Sequence, residues 1–554
     1  MPGGLMQLVN KGAQDQLVTG SPSFTHFRSV YKRHTEFAME HFRLDFRSSN
    51  LDLSPSTPRT FRTRVDRNAQ LVHDMYIHVS LPDIFSPVNP VTKGLHPEIS
   101  PDADAIGYEF QWVRNLGYNM IRSVSVLVNG TAICTHTGEW MKLYSYMTHD
   151  ANKRKLIDRM VGNLPELYDP ANDGQRKNQY PHSISSGSTQ AQQGQCSILG
   201  RNLVIPLHFW FCEDIGSALP LIALQYSEVE IVVEFATIYD LFTIRDVRNS
   251  STTTFGKRIR ADPAAPEFNL NKFFSPPDIN GQPTNNSLTT WALNPYIEAN
   301  YIFIGETEMI HLAKSDASFK FREVRLIKSG GLYGAGNDLE LGIHNLCTRI
   351  IWVTQRSDVS LNNDYDNYTN KYFSATSPFF SQMNAWYSSG SLLRRSEAAD
   401  NIVVDGNIIL DGGERFGTKT YDFFEYLQNY KHHTGLPLDG IFSYSFAIDH
   451  TEQPSGHLNG SMFNKTILRL NLQTPPLLTT PTSSTTDCII KSTALSNNPV
   501  PVQSAKNFGP DQVVRTVTKT DGQVYQYTFG VRAYVESYNF LRITRGIANV
   551  VFSS

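Results

Sequence analysis

The residue types best suited to catalysis or metal binding occur in this chain at only a few close spacings. They are one adjacent histidine pair, His432-His433, and two Asp-x-Asp pairs, Asp102/Asp104 and Asp364/Asp366. Imidazole nitrogens and carboxylate oxygens bind divalent cations, but a site needs several such groups close together. The histidines follow a predicted helix on a polar segment, and the acids lie in predicted loops. We therefore predict a solvated histidine pair, solvated surface acids and no metal site.

Motifs of nucleotide-binding and hydrolytic enzymes are missing from the sequence. It contains no G-x-x-x-x-G-K-[ST] phosphate loop, no H-E-x-x-H helix and no G-x-S-x-G elbow, and GAGNDL from Gly334 lacks the third glycine of a dinucleotide fingerprint. Acids occur on alternating strand positions or singly in loops, whereas a glycosidase needs two carboxylates flanking a cleft. We predict no catalytic residues, no cofactor-binding residues and no enzyme activity.

The cysteines are widely separated in the sequence. They are Cys134, Cys196, Cys212, Cys347 and Cys488. An odd number of cysteines without a C-x-x-C pair is typical of buried reduced thiols rather than of a disulfide framework or a zinc site.

The overall charge gives no support for a dedicated nucleic-acid-binding protein. Lys plus Arg number 49 against 52 Asp plus Glu, so the net charge is -3 and no basic field covers the whole chain. One basic cluster lies near the start of the chain: Arg28, Lys32, Arg33, His34, Arg43, Arg47, Arg62, Arg64 and Arg67. Acids are interleaved with it, so ion pairs within or between subunits compete with phosphate contacts. We expect no direct nucleic-acid binding.

Segments that would direct the chain to a membrane are not found in the sequence. The longest apolar stretches, near 219–224 and 548–552, are far shorter than the roughly 18 residues of a membrane-spanning helix. The beginning of the chain lacks the pattern of a signal peptide, so we expect synthesis in the cytosol. N-x-[ST] sequons are then expected by chance, and they occur at Asn129, Asn249, Asn285, Asn367, Asn459 and Asn464.

The elements that would position any functional residue are mainly β-strands. A length of 554 residues exceeds the ~150 of one domain, so two large or several small domains are expected. Alternation with a period of two predicts half-buried strands, with these residues on the buried sides: Val124, Val126, Val128, Val229, Ile231, Val233, Phe235, Phe442, Tyr444, Phe446 and Ile448. Asn129-Gly130 and Asp405-Gly406-Asn407 predict tight turns. Short helices are predicted at 140–160, 218–224 and 421–430.

An internal duplication is visible at long range. Ile205 and Ile231 have counterparts at Ile441 and Ile467, both offset by 236 residues. Without a short repeat, this offset predicts two tandem copies of one all-β domain, for which antiparallel jelly-roll sandwiches of eight strands are the leading candidate. Long loops are predicted at 82–104, 168–200, 249–294, 357–370 and 474–509, as contact surfaces on a rigid scaffold.

Several longer blocks occur in a fixed order from one end of the chain to the other. They are GGLMQLVNKGAQDQLVTGSPSFTHFRSVYKRHTEFAME (3–40), IPLHFWFCEDIGSALPLIALQYSEVEIVVEF (205–235), ANYIFIGETE (299–308), IFSYSFAIDHTEQPSGHLN (441–459) and NFLRITRGIANVVFSS (539–554). Together they resemble the major capsid proteins of nucleocytoplasmic large DNA viruses. The resemblance implies a double jelly-roll fold and a purely structural role in the virion.

Assembly is what the resemblance implies about function. Three subunits would form a pseudo-hexagonal capsomer that tiles an icosahedral shell, with minor capsid and penton proteins as partners and an internal viral membrane reached through associated proteins. The expected layout is an arm at 1–27, a first jelly roll at 28–306, a linker at 307–316 and a second jelly roll at 317–554. The alternative is a loop-rich β-sandwich that serves in adhesion or carbohydrate binding.

Overall fold

The structure is a computed structural model of the chain. It describes residues 2–29, 31–48, 50–86, 107–176, 179–183, 195–245, 258–277, 283–314, 317–361, 363–370, 401–449, 454–474, 485–491, 513–519 and 527–552. Most of the predicted loop at 82–104, with Asp102 and Asp104, lies outside these residues, as do Asn249 and much of the predicted loop at 474–509.

The first unit consists of two facing antiparallel sheets. Its strands are β1 Phe37–Asp45, β2 Asp52–Leu53, β3 Arg59–Arg64, β4 Leu71–Ser80, β5 Gln111–Trp112, β6 Ile121–Val128, β7 Thr131–Thr137, β8 Asn202–Pro206, β9 Leu219–Pro220, β10 Val229–Phe235, β11 Phe242–Arg245, β12 Arg258–Ile259, β13 Trp291–Ala292 and β14 Tyr296–Ile304. One sheet has the order β1-β14-β4-β8, with β9 beside β4, and the other has the order β3-β10-β6-β7. The short strands form smaller sheets, β12-β11-β5 and β13-β2.

The second unit repeats this arrangement. Its strands are β15 Ala317–Leu332, β16 Asn337–Glu340, β17 Leu346–Arg356, β18 Val403–Leu410, β19 Gly413–Glu414, β20 Lys419–Thr420, β21 Ile441–Ser445, β22 Leu458–Asn459, β23 Thr466–Leu472, β24 Thr485–Lys491, β25 Val513–Lys519, β26 Phe529–Thr544 and β27 Ile547–Val550. One sheet has the order β15-β26-β17-β21, with β22 and β27 attached, and the other has the order β16-β23-β18-β19, with β20 beside β18. A separate pair is formed by β24 and β25.

The duplication that the sequence predicts is visible in the strand order. Ile205 in β8 pairs with Ile77 in the third strand of its sheet, and Ile441 in β21 pairs with Val353 in the third strand of its own. Two sheets whose main paths carry four strands each, in this crossing order, form a jelly roll. The predicted fold class, two tandem all-β jelly rolls with few short helices, is confirmed. Short strands are added to these paths, so the count of eight strands is not itself confirmed.

Strands with one wet face follow their sequence pattern closely. In β10 the apolar residues Ile231, Val233 and Phe235 are fully buried, while the alternate residues Glu230, Val232 and Glu234 are half-buried. The alternation of β21 is different, because the strand ends at Ser445 and Ile448 is 75% exposed beyond it.

One of the two predicted turns is correct. Asn129 and Gly130 join β6 to β7 with φ values of 51° and 81°, as a tight hairpin requires. The turn predicted at Asp405-Gly406-Asn407 is wrong, because these residues lie inside β18 and the chain reverses after it. Position 406 requires glycine, because the Cβ of any other residue would lie 2.8 Å from the carbonyl oxygen of Arg469 on the neighbouring strand.

The helices are short and lie mostly in connections between strands. They are α1 Gly3–Val9, α2 Asp15–Thr19, α3 Leu116–Met120, α4 Gly138–Thr148, α5 Ala151–Val161, α6 Pro165–Tyr168, α7 Trp210–Glu213, α8 Asn271–Phe274, α9 Glu306–Lys314 and α10 Gln428–His432, which continues a π-helical turn at Phe423–Leu427. Short 3₁₀ segments complete the set: Asp173–Gln175, Ile215–Ser217, Leu221–Ala223, Ile238–Asp240, Pro266–Phe268, Ser357–Leu361 and Gly460–Met462.

The helical predictions differ from the structure in detail. The helix predicted at 140–160 is two helices, because the Asp150 carboxylate caps the second one by accepting from the backbone N–H of Lys153. The segment 218–224 forms a short strand and a 3₁₀ turn instead of a helix. No helix in the described part of the chain has the length and apolar character needed to cross a membrane.

Candidate functional site

The acids that could have ligated a cation are used differently in the structure. Asp366, predicted to be a solvated surface acid, is buried, and its carboxylate lies 2.5 Å from the Lys142 ammonium. That prediction is therefore wrong for Asp366, because its carboxylate is held by Lys142 and Asn115 of the first unit. No group of three or more metal-ligating side chains occurs within the described residues.

The predicted solvated histidine pair is also only half correct. His432 lies near the surface and binds the carbonyl oxygen of Ile448. His433 is half-buried, and its Nδ1 accepts a hydrogen bond of 3.3 Å from the Arg349 guanidinium. Burial and that positive neighbour lower the pKa of His433 to about 2. His433 is therefore a neutral, half-buried residue bonded to Arg349 rather than a solvated imidazole.

The cysteines with described side chains are free thiols, as predicted. Cys134 and Cys347 are buried, and Cys196 and Cys212 are partly exposed. Burial raises the pKa of all four thiols, which keeps them protonated and unreactive. The side chain of Cys488 lies outside the described part.

Part of the basic cluster near the start of the chain is neutralised within the chain. Arg43 pairs with Asp45 at 2.7 Å and Arg64 with Glu228 at 2.9 Å. Arg67 donates to backbone carbonyl oxygens of the 224–227 segment. The predicted ion pairs are therefore confirmed for Arg43 and Arg64. The Arg67 guanidinium is instead used in hydrogen bonds to the backbone. Of the sequons, Asn367 is 1% exposed and Asn249 is outside the described residues, whereas the others lie at the surface.

A cluster of buried polar side chains lies where the two units meet. We call helix α4, Gly138–Thr148, the seam helix, because it packs on the outer face of the β15-β26-β17-β21 sheet. Its Trp140 indole N–H donates to Glu536 on β26 at 2.9 Å. The same carboxylate accepts two bonds from Arg349 on β17, at 2.5 and 2.9 Å, and all three side chains are fully buried.

A second ion pair crosses the seam from Glu139, the residue before Trp140. The Glu139 carboxylate accepts from the Arg532 guanidinium at 2.6 and 2.7 Å and from the Tyr534 hydroxyl at 2.5 Å. Burial alone would raise the pKa of Glu139, but Arg532 outweighs it and lowers that pKa to about 2. The carboxylate therefore stays ionised across the whole physiological range.

A third pair joins the seam helix to the segment after β17. Lys142 and Asp366 form a buried pair, and the Asn115 side-chain amide donates to Asp366 at 2.6 Å. The other side of Asn115 accepts from Arg154 at 2.8 Å. Despite the burial of its carboxylate, Asp366 has a pKa below its usual range because of Lys142 and Arg114. The three pairs hold the two units in one relative orientation.

Sequence reasoning missed this seam entirely. The signal was present in β17, LCTRIIWVTQR, where Arg349 interrupts an apolar stretch, and in β26, where Glu536 does the same. Charged residues at fully buried positions are almost always paired. What the sequence could not show is which partner each has, since Arg349 and Glu536 are 187 residues apart.

The described surface carries two apolar features that nothing covers in the single chain. The arm before β1 contains helices α1 and α2, which have no buried residue. The other feature is the helix formed by Phe423–Leu427 and Gln428–His432, which we call the distal helix. Large apolar side chains exposed on these features are Leu5, Met6, Leu8, Val9, Leu17, Val18, Phe24, Phe27, Tyr426, Leu427 and Tyr430. The site thus offers docking surface and rigidity rather than reactive groups.

Two family profiles match successive parts of the chain. Residues 25–269 match a family described as major capsid protein N-terminus. Residues 335–505 match a family described as large eukaryotic DNA virus major capsid protein.

Two curated relatives match along most or all of their length. The chain is 23% identical to the probable capsid protein 4 of Acanthamoeba polyphaga mimivirus, with 100% of both chains covered. It is 25% identical to the major capsid protein of Phaeocystis pouchetii virus, with 85% of this chain and 93% of that protein covered.

Solved structures show the same fold. A quasi-atomic model of the PBCV-1 virus capsid gives a TM-score of 0.59 at 17% identity, covering 96% of this chain and 100% of that one. The Faustovirus major capsid protein gives 0.59 at 10% identity, covering 97% and 95%. The likeness of fold therefore persists where little sequence identity remains.

Proposed function

Since the chain belongs to the family of major capsid proteins of large eukaryotic DNA viruses, we propose that three copies of it close into a homotrimeric, pseudo-hexagonal capsomer that tiles an icosahedral shell. The family gives the chain a structural role and a place in the virion. The observation that carries the trimer is the duplication with its buried seam. Two similar units held rigidly side by side make three chains equivalent to six units, which can fill a hexagonal lattice position.

The proposed division of the chain follows the duplication. We assign an arm to 1–27, the first jelly roll to 28–306, a linker to 307–316 and the second jelly roll to 317–554. The helix Glu306–Lys314, which lies between β14 and β15, supports this placement of the linker.

The proposed partners are further copies of the chain, minor capsid and penton proteins, and an internal membrane reached through associated proteins. We place synthesis of the chain in the host cytoplasm. Its proposed role involves no direct nucleic-acid binding, no cofactor and no enzymatic reaction. Burial of surface between copies is sufficient for assembly, since stable homo-oligomer interfaces often bury more than ~2,000 Å².

Light scattering on the purified full-length chain tests the proposal. At micromolar concentration we expect a mass of three times 62.4 kDa, unchanged by EDTA and without added nucleotide or nucleic acid. A monomer under these conditions would overturn the capsomer, and trimers that dissociate in EDTA would overturn assembly without a metal.

A further inference from the structure

The seam helix and the distal helix occupy the same place in their two units. The seam helix connects β7 to β8, and the distal helix connects β20 to β21, at the same edge of each jelly roll. Both begin with a threonine, an acid two residues later and an aromatic residue next, as Thr137-Gly138-Glu139-Trp140 and Thr420-Tyr421-Asp422-Phe423. Asp422 therefore corresponds to Glu139, and by the same offset Leu427 corresponds to Tyr144.

The two sheets also correspond residue by residue at their centres. Tyr534-Val535-Glu536-Ser537 in β26 has its counterpart in Tyr296-Ile297-Glu298-Ala299 in β14, the second strand of the equivalent sheet. Tyr534 and Glu536 are among the residues of β26 that the seam helix contacts. Tyr296 and Glu298 point the same way in the first unit, because their positions in the pleat are the same.

Only one of these two helix-and-sheet pairs is joined within a single chain. The seam helix is buried almost throughout, including Trp140, Leu143 and Met147. On the distal helix the matching stripe faces solvent: Asp422 is exposed, Leu427 is 40% exposed and Tyr430 is 85% exposed. Leu427 and Tyr430 are three residues apart and so are neighbours on the helix surface, and Asp422 directly precedes the π-helical turn Phe423–Leu427. A docking face is thus left without its sheet.

The first unit has the opposite deficit, a sheet without its helix. On the outer face of β1-β14-β4-β8, Glu298 is surrounded by cationic or ionisable side chains, with His78 at 3.0 Å and His41 at 3.4 Å. Arg43 lies beside them, with its guanidinium 4.2 Å from the centre of the Tyr296 ring. This face is more polar than its counterpart, where Ile351 and Val353 are fully buried. Such polarity suits a surface that meets water before assembly.

We propose that the distal helix of one copy docks on the outer face of the β1-β14-β4-β8 sheet of a second copy, repeating between chains the seam found within each chain. This rests on the proposed capsomer and names its interface. In the seam Glu139 meets Tyr534, so Asp422 meets Tyr296 across the new contact. The adjacent Arg43 supplies the positive charge, in competition with its present partner Asp45.

The contact is heterologous, with a helix on one side and a sheet on the other. Because each chain carries both halves, one on each unit, the contact repeats head to tail and closes when the rotation between copies is a third of a turn. Leu427 then lies near His41 and Tyr76, as Tyr144 lies near Arg322 and Arg349 in the seam.

Charge reversal with rescue tests the contact. Asp422→Arg and Arg43→Asp should each raise the concentration at which trimers dissociate by more than about tenfold, and the double variant should recover to within about threefold of the wild type. Glu340→Arg is the matched control, an exposed strand acid of the second unit whose reversal should leave dissociation unchanged. Asp422 and Arg43 are both exposed, so melting temperatures should stay constant.

The outcomes separate this contact from the capsomer itself. Wild-type trimers that are indifferent to both single reversals would overturn the docking while leaving the capsomer intact, and single losses without rescue would overturn the Asp422–Arg43 pairing. A wild-type monomer would overturn both. As a second measurement, a photo-crosslinking residue at position 427 in a mixture of isotopically light and heavy chains should link to β1 or β4 of another copy. Links to any other element would contradict the docking.

Discussion

At the scale of single residues, the molecule depends on charges that are buried in pairs. Glu536 illustrates this, since it is fully buried and satisfies both Arg349 and the Trp140 indole. A buried ion pair adds little stability by itself, but removing one partner leaves the other charge desolvated and alone. Such pairs therefore fix the orientation of the two units more than they add to the free energy of unfolding.

Removing that carboxylate should be strongly destabilising. We expect Glu536→Ala to lower the free energy of unfolding by about 3–5 kcal/mol, measured by denaturant titration, because Arg349 is left unpaired. Asp338→Ala is the control: its pair with Arg469 is exposed, so water already screens it and the midpoint should hardly move. Equal effects of the two variants would show that the seam is not buried as described.

Buried neutral histidines make stability depend on acidity. Burial, aided by Arg322, lowers the pKa of His136 to about 3, below the ~6.5 of an unfolded chain. A group of this kind contributes its full stability above pH 6.5, and the contribution is lost as the pH falls toward the folded pKa. We expect the free energy of unfolding to fall below pH 6.5.

The substitution His136→Phe isolates this effect, since the ring is packed between Trp140 and Phe209 and a phenyl ring can take its place. Between pH 6 and 4, the free energy of unfolding of the variant should depend less steeply on pH than that of the wild type, by up to about 1.4 kcal/mol per pH unit. An unchanged slope in denaturant titrations across this range would mean that His136 does not titrate on unfolding.

At the scale of elements, the alternation of apolar and polar residues predicted strands well where one face is exposed to solvent, and poorly where both faces are buried. It identified the buried face of β10, but β17 is buried on both faces, one against its own unit and one against the seam. Gly406 led to a wrong prediction of a turn. The sequence shows the glycine but not the neighbouring strand whose backbone lies close to it. The seam escaped prediction for the same reason: its partners come from distant segments and meet only when the fold is complete.

The face of β10 can be tested directly. Ile231→Asp places a charge at a fully buried position, which should cost about 4 kcal/mol or more and abolish soluble expression. Val232→Asp is the control, since the neighbouring side chain points to the other, half-exposed face. If Ile231→Asp purified with an unchanged melting temperature, the assignment of the buried face would be wrong.

The arm should matter for attachment and not for folding. Deleting residues 1–27 removes no strand and no buried side chain, so trimers should form and melt as the wild type does. Incorporation of the chain into shells, measured by co-sedimentation with virions, should fall because exposed apolar residues of the arm are lost. Monomers after deletion, seen by light scattering, would instead place the arm in the interface between copies.

At the scale of the whole molecule, the two jelly rolls share one polarity. Contacts tie the long connections to one another at one end, for example Phe85 with Phe273 and Asn363 with Tyr239. At the other end the short turns meet, where the backbone N–H of Tyr226 donates to Gly546. The duplication and its fold class could be predicted from sequence, because the repeat offset and the strand pattern can both be read from the order of residues along the chain. The rigid pairing of the units could not.

Electron cryo-microscopy of the purified assembly tests the central claim most directly. We predict a threefold ring containing six similar lobes, with each distal helix seated on the first unit of the next chain. A twofold dimer, or isolated two-lobed particles at concentrations where the chain is stable, would contradict the account.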